Sequence, residues 1–193
     1  MRSMLRSKGE KKYTWQDYLA WPDEERWEVI DGVAYGMTPS PSSRHQVVAG
    51  NFFALVRERL RGKSCRVFVA PLDVYLDDFN FVQPDVMVVC DEKKIRDRIY
   101  GAPDLVVEVL SPATSLKDKR EKKDLYEKFG VREYVIVHPE EMLVERFFLS
   151  EGGFKGPDVF GSQEVLPLLF LDGVEVLLWD VFEVEPPGEG EGA

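Results

Sequence analysis

Aromatic and apolar residues recur at helical spacing over residues 13–21, behind Thr14 as a candidate N-cap. Pro22-Asp23-Glu24-Glu25 breaks that pattern. Residues 26–31 alternate as a strand does, Asp31-Gly32 is a two-residue hairpin signal, and residues 33–37 return as its partner. A Pro/Ser-rich loop follows over 38–43. Residues 45–61 then carry an amphipathic stripe of Val48, Phe52, Leu55, Val56 and Leu60, stopped by Gly62. Strands are predicted over 66–70, 72–76, 85–90 and 105–110, with Asp77–Asn80 joining the second to the third and a charged, flexible connection over 93–101. A helix over 116–129 closes at Gly130. Strands follow over 133–137, 142–149 and 154–160, and residues 166–182 are apolar but ambiguous between helix and strand. Helix, several strands, helix, strand implies an α/β (α+β) core with a mixed sheet and helices packed on it.

One residue breaks the apolar pattern. Glu108 stands inside Leu105-Val-Val-Glu-Val-Leu110. An ionised carboxylate away from water costs several kcal/mol unless a cation or hydrogen-bond donors offset it. Asp85 opens the strand before it, behind Pro84. If the two strands pair, both carboxyl groups reach one edge of the sheet, an arrangement that suits a hard divalent cation, Mg²⁺ or Mn²⁺, with the main-chain carbonyl of Val109 as a further ligand. In the helix after Glu108, residues 118, 122, 125, 126 and 129 share a face that Leu125, Tyr126 and Phe129 make the buried one. Lys122 therefore points inward, where a lysine needs a carboxylate neighbour. Pro103-Asp104 repeats the Pro-Asp dipeptide, but Asp104 lies roughly 13 Å from Glu108 at about 3.3 Å per residue, so it starts the strand or caps a turn. The plain structural alternative for Asp85 and Glu108 is a pair of strand-end acids held by backbone N–H groups or by basic side chains.

The chain is 193 residues long, which suits one domain, 13–183, between a basic tail (1–12) and a disordered acidic tail (184–193); the four glutamates from Glu183 onward carry no compensating base. The net charge of −10 argues against nonspecific nucleic-acid binding by the whole surface, while the basic clusters at 57–63, 93–98 and 117–123 leave room for a local basic rim. No apolar stretch is long enough to span a bilayer, and the basic N-terminus lacks the apolar segment of a secretory signal, which predicts a cytoplasmic protein. Cys65 and Cys90 read as reduced thiols in that compartment.

Trp27-Glu-Val-Ile-Asp-Gly32, Pro-Ser-Ser-Arg-His-Gln46, Val82-Gln-Pro-Asp-Val86, Ala102-Pro-Asp-Leu-Val-Val-Glu-Val-Leu-Ser-Pro112 and Gly130-Val-Arg-Glu-Tyr134 together resemble a large bacterial family of restriction endonuclease-like proteins in the PD-(D/E)XK nuclease superfamily. The resemblance covers about residues 13 to 183. It implies a restriction-endonuclease-like mixed central sheet flanked by helices, with an N-terminal hairpin and extra C-terminal strands, and metal-dependent phosphodiester cleavage of DNA. By that resemblance Asp85 is the acid of the PD element and Glu108 that of the (D/E)XK element. The lysine position of the superfamily pattern is Leu110 here, and the family moves the lysine to the next helix, which fits Lys122. Glu28 resembles the acid that such nucleases carry on an early element, able to hold a second metal or a metal-bound water. Its plain alternative is a hairpin residue paired with Arg26 or a lysine. His45 matches a family motif as a base or phosphate contact, against a helix cap or surface residue.

The leading expectation is thus a Mg²⁺- or Mn²⁺-dependent DNA endonuclease, with Asp85, Glu108 and Val109 at the metal and Lys122, Glu28 and His45 beside it. Leu110 and an isoelectric point of about 4.8 motivate an inactive binding or assembly module that keeps the nuclease fold. A hydrolase of small phosphate esters has little support, because no glycine-rich phosphate loop is present. A homodimer is expected from the resemblance and from Trp15, Tyr18, Trp21 and Trp27, if those aromatics are exposed rather than core.

Overall fold

The structure is a computed structural model that describes residues 11–22, 25–37, 41–111, 118–171 and 173–188, the side chains of 118 and 119 excepted. The outer parts of the expected tails, 1–10 and 189–193, and the start of the helix expected from residue 116 lie outside the described residues.

Two sheets and the helices around them build the molecule. The first has the order β2-β1-β5-β4-β7: β1 (Trp27–Ile30), β2 (Val33–Gly36), β4 (Val74–Asp77), β5 (Asn80–Val82) and β7 (Ile99–Tyr100). The second has the order β11-β10-β9-β8-β6-β3: β3 (Arg66–Val69), β6 (Val86–Val89), β8 (Leu105–Val109), β9 (Glu133–His138), β10 (Leu143–Ser150) and β11 (Gly153–Gly161). Both are mixed, since β4 pairs parallel with β7 and β8 parallel with β9, while the other pairs are antiparallel. A hairpin of β12 (Val165–Leu168) and β13 (Val174–Leu177) completes the described strands.

Helix α1 (Trp15–Tyr18) starts at Thr14, whose side chain and that of Asp17 cap one another's backbone N–H groups. The β1–β2 hairpin turns through Asp31 and Gly32, both at positive φ (49° and 82°), the geometry that this dipeptide tolerates. Helix α2 (Ser43–Arg59) is capped by Ser42 and buries Val48, Phe52 and Val56. A five-residue π-helical segment, Asp118–Lys122, leads into α3 (Lys123–Phe129), which ends at Gly130 with φ 80°. Helix α4 (Leu178–Phe182) follows β13.

Three apolar clusters set the layers. Val106 of β8 and Met87 and Val89 of β6 meet Ile30, Val74, Val82 and Ile99 of the first sheet and Leu125 and Tyr126 of α3. The opposite face (Leu105, Val107, Val109, Val86, Val88) packs on α2, α4 and the β12–β13 hairpin. Trp15, Trp27, Val29, Ala34 and Phe81 close the outer face of the first sheet.

Several expectations change. The central sheet is split in two, and Gln83-Pro84-Asp85 carries the chain from one to the other. Asp77 and Asn80 turn into β5, a three-residue strand where a plain connection was expected. The 93–101 segment is no flexible connection: it holds a 3₁₀ turn over Glu92–Lys94 and then β7. Of the four aromatics behind the expected dimer, Trp15 and Trp27 are buried in the core, while Tyr18 and Trp21 pack against them half-buried. Cys65 and Cys90, expected as free thiols, form a disulfide. The β3–β6 register, Arg66 opposite Val89, puts the two cysteines opposite one another one step further on. A reducing compartment therefore no longer follows from the cysteines. Among the described residues no helix is long and apolar enough to cross a membrane.

Candidate functional site

Strand alternation decides which side chains can meet. Val86 pairs with Val107 across the antiparallel β6–β8 ladder, so the next step sets Asp85 opposite Glu108. Directly opposed residues have Cβ atoms about 5 Å apart and point to the same face. That face is the one packed between the two sheets. Asp85 is fixed at its strand end, because its Oδ2 accepts from the Val109 N–H at 2.8 Å while its own carbonyl accepts from the Ala70 N–H at 2.9 Å. In a strand, a residue's N–H and C=O leave on the same side. The Val109 carbonyl therefore also faces the strand of Asp85.

Glu108 is 3% exposed and Glu28, from β1 of the other sheet, 0%. Lys122, at the junction of the π-helical segment and α3, is 3% exposed, and its Nζ lies 2.8 Å from Oε1 of each. A π-helical turn shifts the phase of a helix and is frequent at functional sites. Glu28 Oε1 also accepts the Gln83 N–H at 3.0 Å. Glu108 Oε1 also accepts the Tyr126 hydroxyl at 2.7 Å. Burial, and next the charge of Glu108, pushes the Tyr126 phenol well above its ordinary range, so it stays protonated and donates. His45, from the first turn of α2, places Nε2 3.2 Å from Asp85 Oδ2.

The residues singled out in sequence thus form two bonded sets, Lys122 with Glu28 and Glu108 and His45 with Asp85, which the strand register brings side by side by setting Asp85 opposite Glu108. Lys122 points inward as its helical face required. Glu28 pairs with a lysine rather than with Arg26, whose guanidinium donates to Gln83 Oε1 at 2.9 and 2.7 Å. His45 is not the helix cap; Ser42 Oγ accepts the His45 N–H at 3.1 Å. Asp104 stays out of the group: it accepts the Cys90 N–H at 2.8 Å and tethers the start of β8. Leu110, at the position where the superfamily pattern carries lysine, is buried in the apolar cluster.

Residues 15–181 match the family model Uma2, described as "Putative restriction endonuclease". The chain belongs to this family. A curated relative, "Uncharacterized protein slr1290" from Synechocystis, is 29% identical over 143 residues, 72% of this chain and 75% of that protein. The crystal structure of a putative nuclease belonging to DUF820 from Anabaena variabilis superposes with a TM-score of 0.75 at 20% identity, covering 88% of this chain and 97% of that one. It is similar in fold, and the restriction endonuclease-like fold of this Uma2-family chain accords with it.

Two residues of the group were not singled out in sequence. Tyr126 looked like part of an apolar stripe, and its hydroxyl matters only because Glu108 lies beneath it. Gln83 acts through its backbone N–H, which no side-chain pattern signals. Among the described residues no three His, Cys, Asp or Glu side chains form a cluster spaced to hold a metal ion. The hard donors at hand are two opposed carboxylates and one main-chain carbonyl, a set that suits Mg²⁺ or Mn²⁺ completed by water and phosphate oxygens.

Proposed function

We propose that this protein is a Mg²⁺- or Mn²⁺-dependent DNA endonuclease. The observation that supports this most is the buried Lys122, 2.8 Å from both Glu28 and Glu108, beside an Asp85 that stands opposite Glu108 in register. Asp85, Glu108 and the Val109 carbonyl would hold the cation. When bound, such a cation polarises the phosphoryl group and lowers the pKa of a coordinated water. The protein's own groups then have separate tasks. The Lys122 ammonium would orient the attacking water or offset charge building on the phosphoryl oxygens. Glu28, held by the Gln83 N–H, keeps that ammonium in place. His45 braces Asp85 Oδ2 and is a candidate phosphate contact. Hydrolysis places the water oxygen on phosphorus and a proton on the departing 3′ or 5′ oxygen.

The test is cleavage of supercoiled plasmid with Mn²⁺ by the wild type, Asp85→Ala and Glu108→Ala. Cutting by the wild type alone is expected. Equal cutting by all three would assign the activity to a contaminant and end the proposal.

One observation favours a second reading. Lys122 is already ion-paired with both buried acids, and Leu110 stands where superfamily enzymes carry lysine. A nuclease fold kept as a binding or assembly module fits acids held by a lysine in this way. Calorimetry separates the two, since Mn²⁺ uptake that disappears in Asp85→Ala counts against the module. A homodimer rests on the family resemblance and on the half-buried Tyr18 and Trp21, and sedimentation at micromolar concentration decides it.

A further inference from the structure

We infer that Tyr126 is a positioning residue for Glu108: it sets the plane of the carboxyl group through which Glu108 would meet a divalent cation. The inference rests on the nuclease reading and adds to it a residue that neither the family motifs nor the apolar pattern singles out.

The terminal torsion of Glu is soft and broadly populated, so a carboxyl group can turn unless its oxygens are held. Glu108 Oε1 accepts from Lys122 Nζ at 2.8 Å and from Tyr126 OH at 2.7 Å. These donors come from positions 122 and 126, one turn apart on a continuous helical segment, so they approach the oxygen from one side. The two donors differ in kind. An ammonium on a four-carbon stem is a rotatable point charge, and Lys122 divides itself between Glu108 and Glu28. A phenol hydroxyl sits at the end of a rigid ring. The Tyr126 ring is fully buried and packs edge-on against Tyr134, with centroids 5.1 Å apart. The ring therefore cannot follow a turning carboxylate. With Oε1 pinned by a fixed donor, the direction of Oε2 is set as well, because the two oxygens share one plane. Lys122 supplies charge to the site, and Tyr126 supplies direction.

A plain structural role predicts something else. A buried tyrosine needs an acceptor for its hydroxyl, and Glu108 would merely be the nearest. Removing the hydroxyl would then lower stability and leave cation binding alone.

The test compares the wild type, Tyr126→Phe and Glu108→Gln by Mn²⁺ calorimetry at a temperature where melting curves show all three folded. We expect Tyr126→Phe to weaken Mn²⁺ binding about 10- to 100-fold, as is typical when a group orienting a metal ligand is lost. Plasmid cleavage at saturating Mn²⁺ should show kcat reduced with KM for DNA unchanged. If Glu108→Gln loses Mn²⁺ and Tyr126→Phe binds it as the wild type does, the positioning role is overturned while the nuclease reading stands. If the wild type and Glu108→Gln bind Mn²⁺ alike, Glu108 is no ligand, and both fall. A crystal structure of metal-free Tyr126→Phe gives an answer without metal: a Glu108 carboxyl turned out of its wild-type plane supports the inference, and an unmoved one contradicts it.

Discussion

Replacing Lys122 by methionine tests the charge balance of the site through stability alone. Methionine keeps most of the volume and the flexible stem, so packing changes little. What disappears is a cation that touches both Glu28, 0% exposed, and Glu108, 3% exposed, at 2.8 Å each. Glu108 keeps the Tyr126 hydroxyl and Glu28 keeps the Gln83 N–H, but neither donor carries charge. Breaking a buried ion pair by removing one partner typically costs about 3–5 kcal/mol, because the other charge stays buried and uncompensated. For a chain of this length each kcal/mol moves the melting temperature by about 2–4 °C, so Lys122→Met should melt roughly 6–20 °C below the wild type. Adding Glu28→Gln removes one of the two buried negative charges, so the double variant should recover part of that loss. Its coupling with Lys122→Met should be clearly non-additive in a double-mutant cycle. Circular dichroism melts of the four proteins measure this. A Lys122→Met protein that melts within about 2 °C of the wild type, with additive effects, would refute the idea that these acids depend on Lys122.

Other predictions concern parts of the fold outside the site. Asp17 caps α1, and hydrogen bonding, first from Lys11 and then from Thr14, lowers its carboxyl from 3.8 to about 2. A depressed carboxyl contributes stability above its unfolded value and loses it as pH falls through the folded one. The wild type should therefore be more stable than Asp17→Asn at neutral pH, and the gap should close between pH 3.8 and about 2. Acid melts showing a constant gap would contradict this. Removing the Cys65–Cys90 disulfide, which spans a sequence separation of 25, should cost about 3 kcal/mol on urea unfolding. Because it joins β3 to β6 at the end far from Asp85, Mn²⁺ affinity should be unchanged in Cys65→Ser/Cys90→Ser, and a large loss of affinity would show that the site depends on it.

Long periodic elements could be read directly from the sequence. The stripe on α2, the Asp31-Gly32 hairpin and the inward face of α3 all have strong local signals, and Lys122 followed from the last of these. Glu108 stood out because a charge in an apolar strand has few cheap explanations. The rest depends on pairing between distant segments. β5 has three residues and hides behind the Asp77–Asn80 turn, and β7 has two, paired in parallel with β4 and bridged to Ile95. The disulfide follows from the β3–β6 register, which no local pattern encodes. The split into two sheets arises at Gln83-Pro84-Asp85, where the chain leaves one sheet for the other, and that crossing is what carries Glu28 over to Lys122 and Glu108. The aromatics near the N-terminus could equally have lined an interface or a core until the first sheet gave them one.

A crystal soaked in Mn²⁺ and measured at the manganese absorption edge would locate the cation itself. We expect an anomalous peak ligated by the Asp85 and Glu108 carboxylates and the Val109 carbonyl, with Lys122 still paired to Glu28. A well-occupied peak elsewhere on the molecule, with those two carboxylates left as they are, would contradict it.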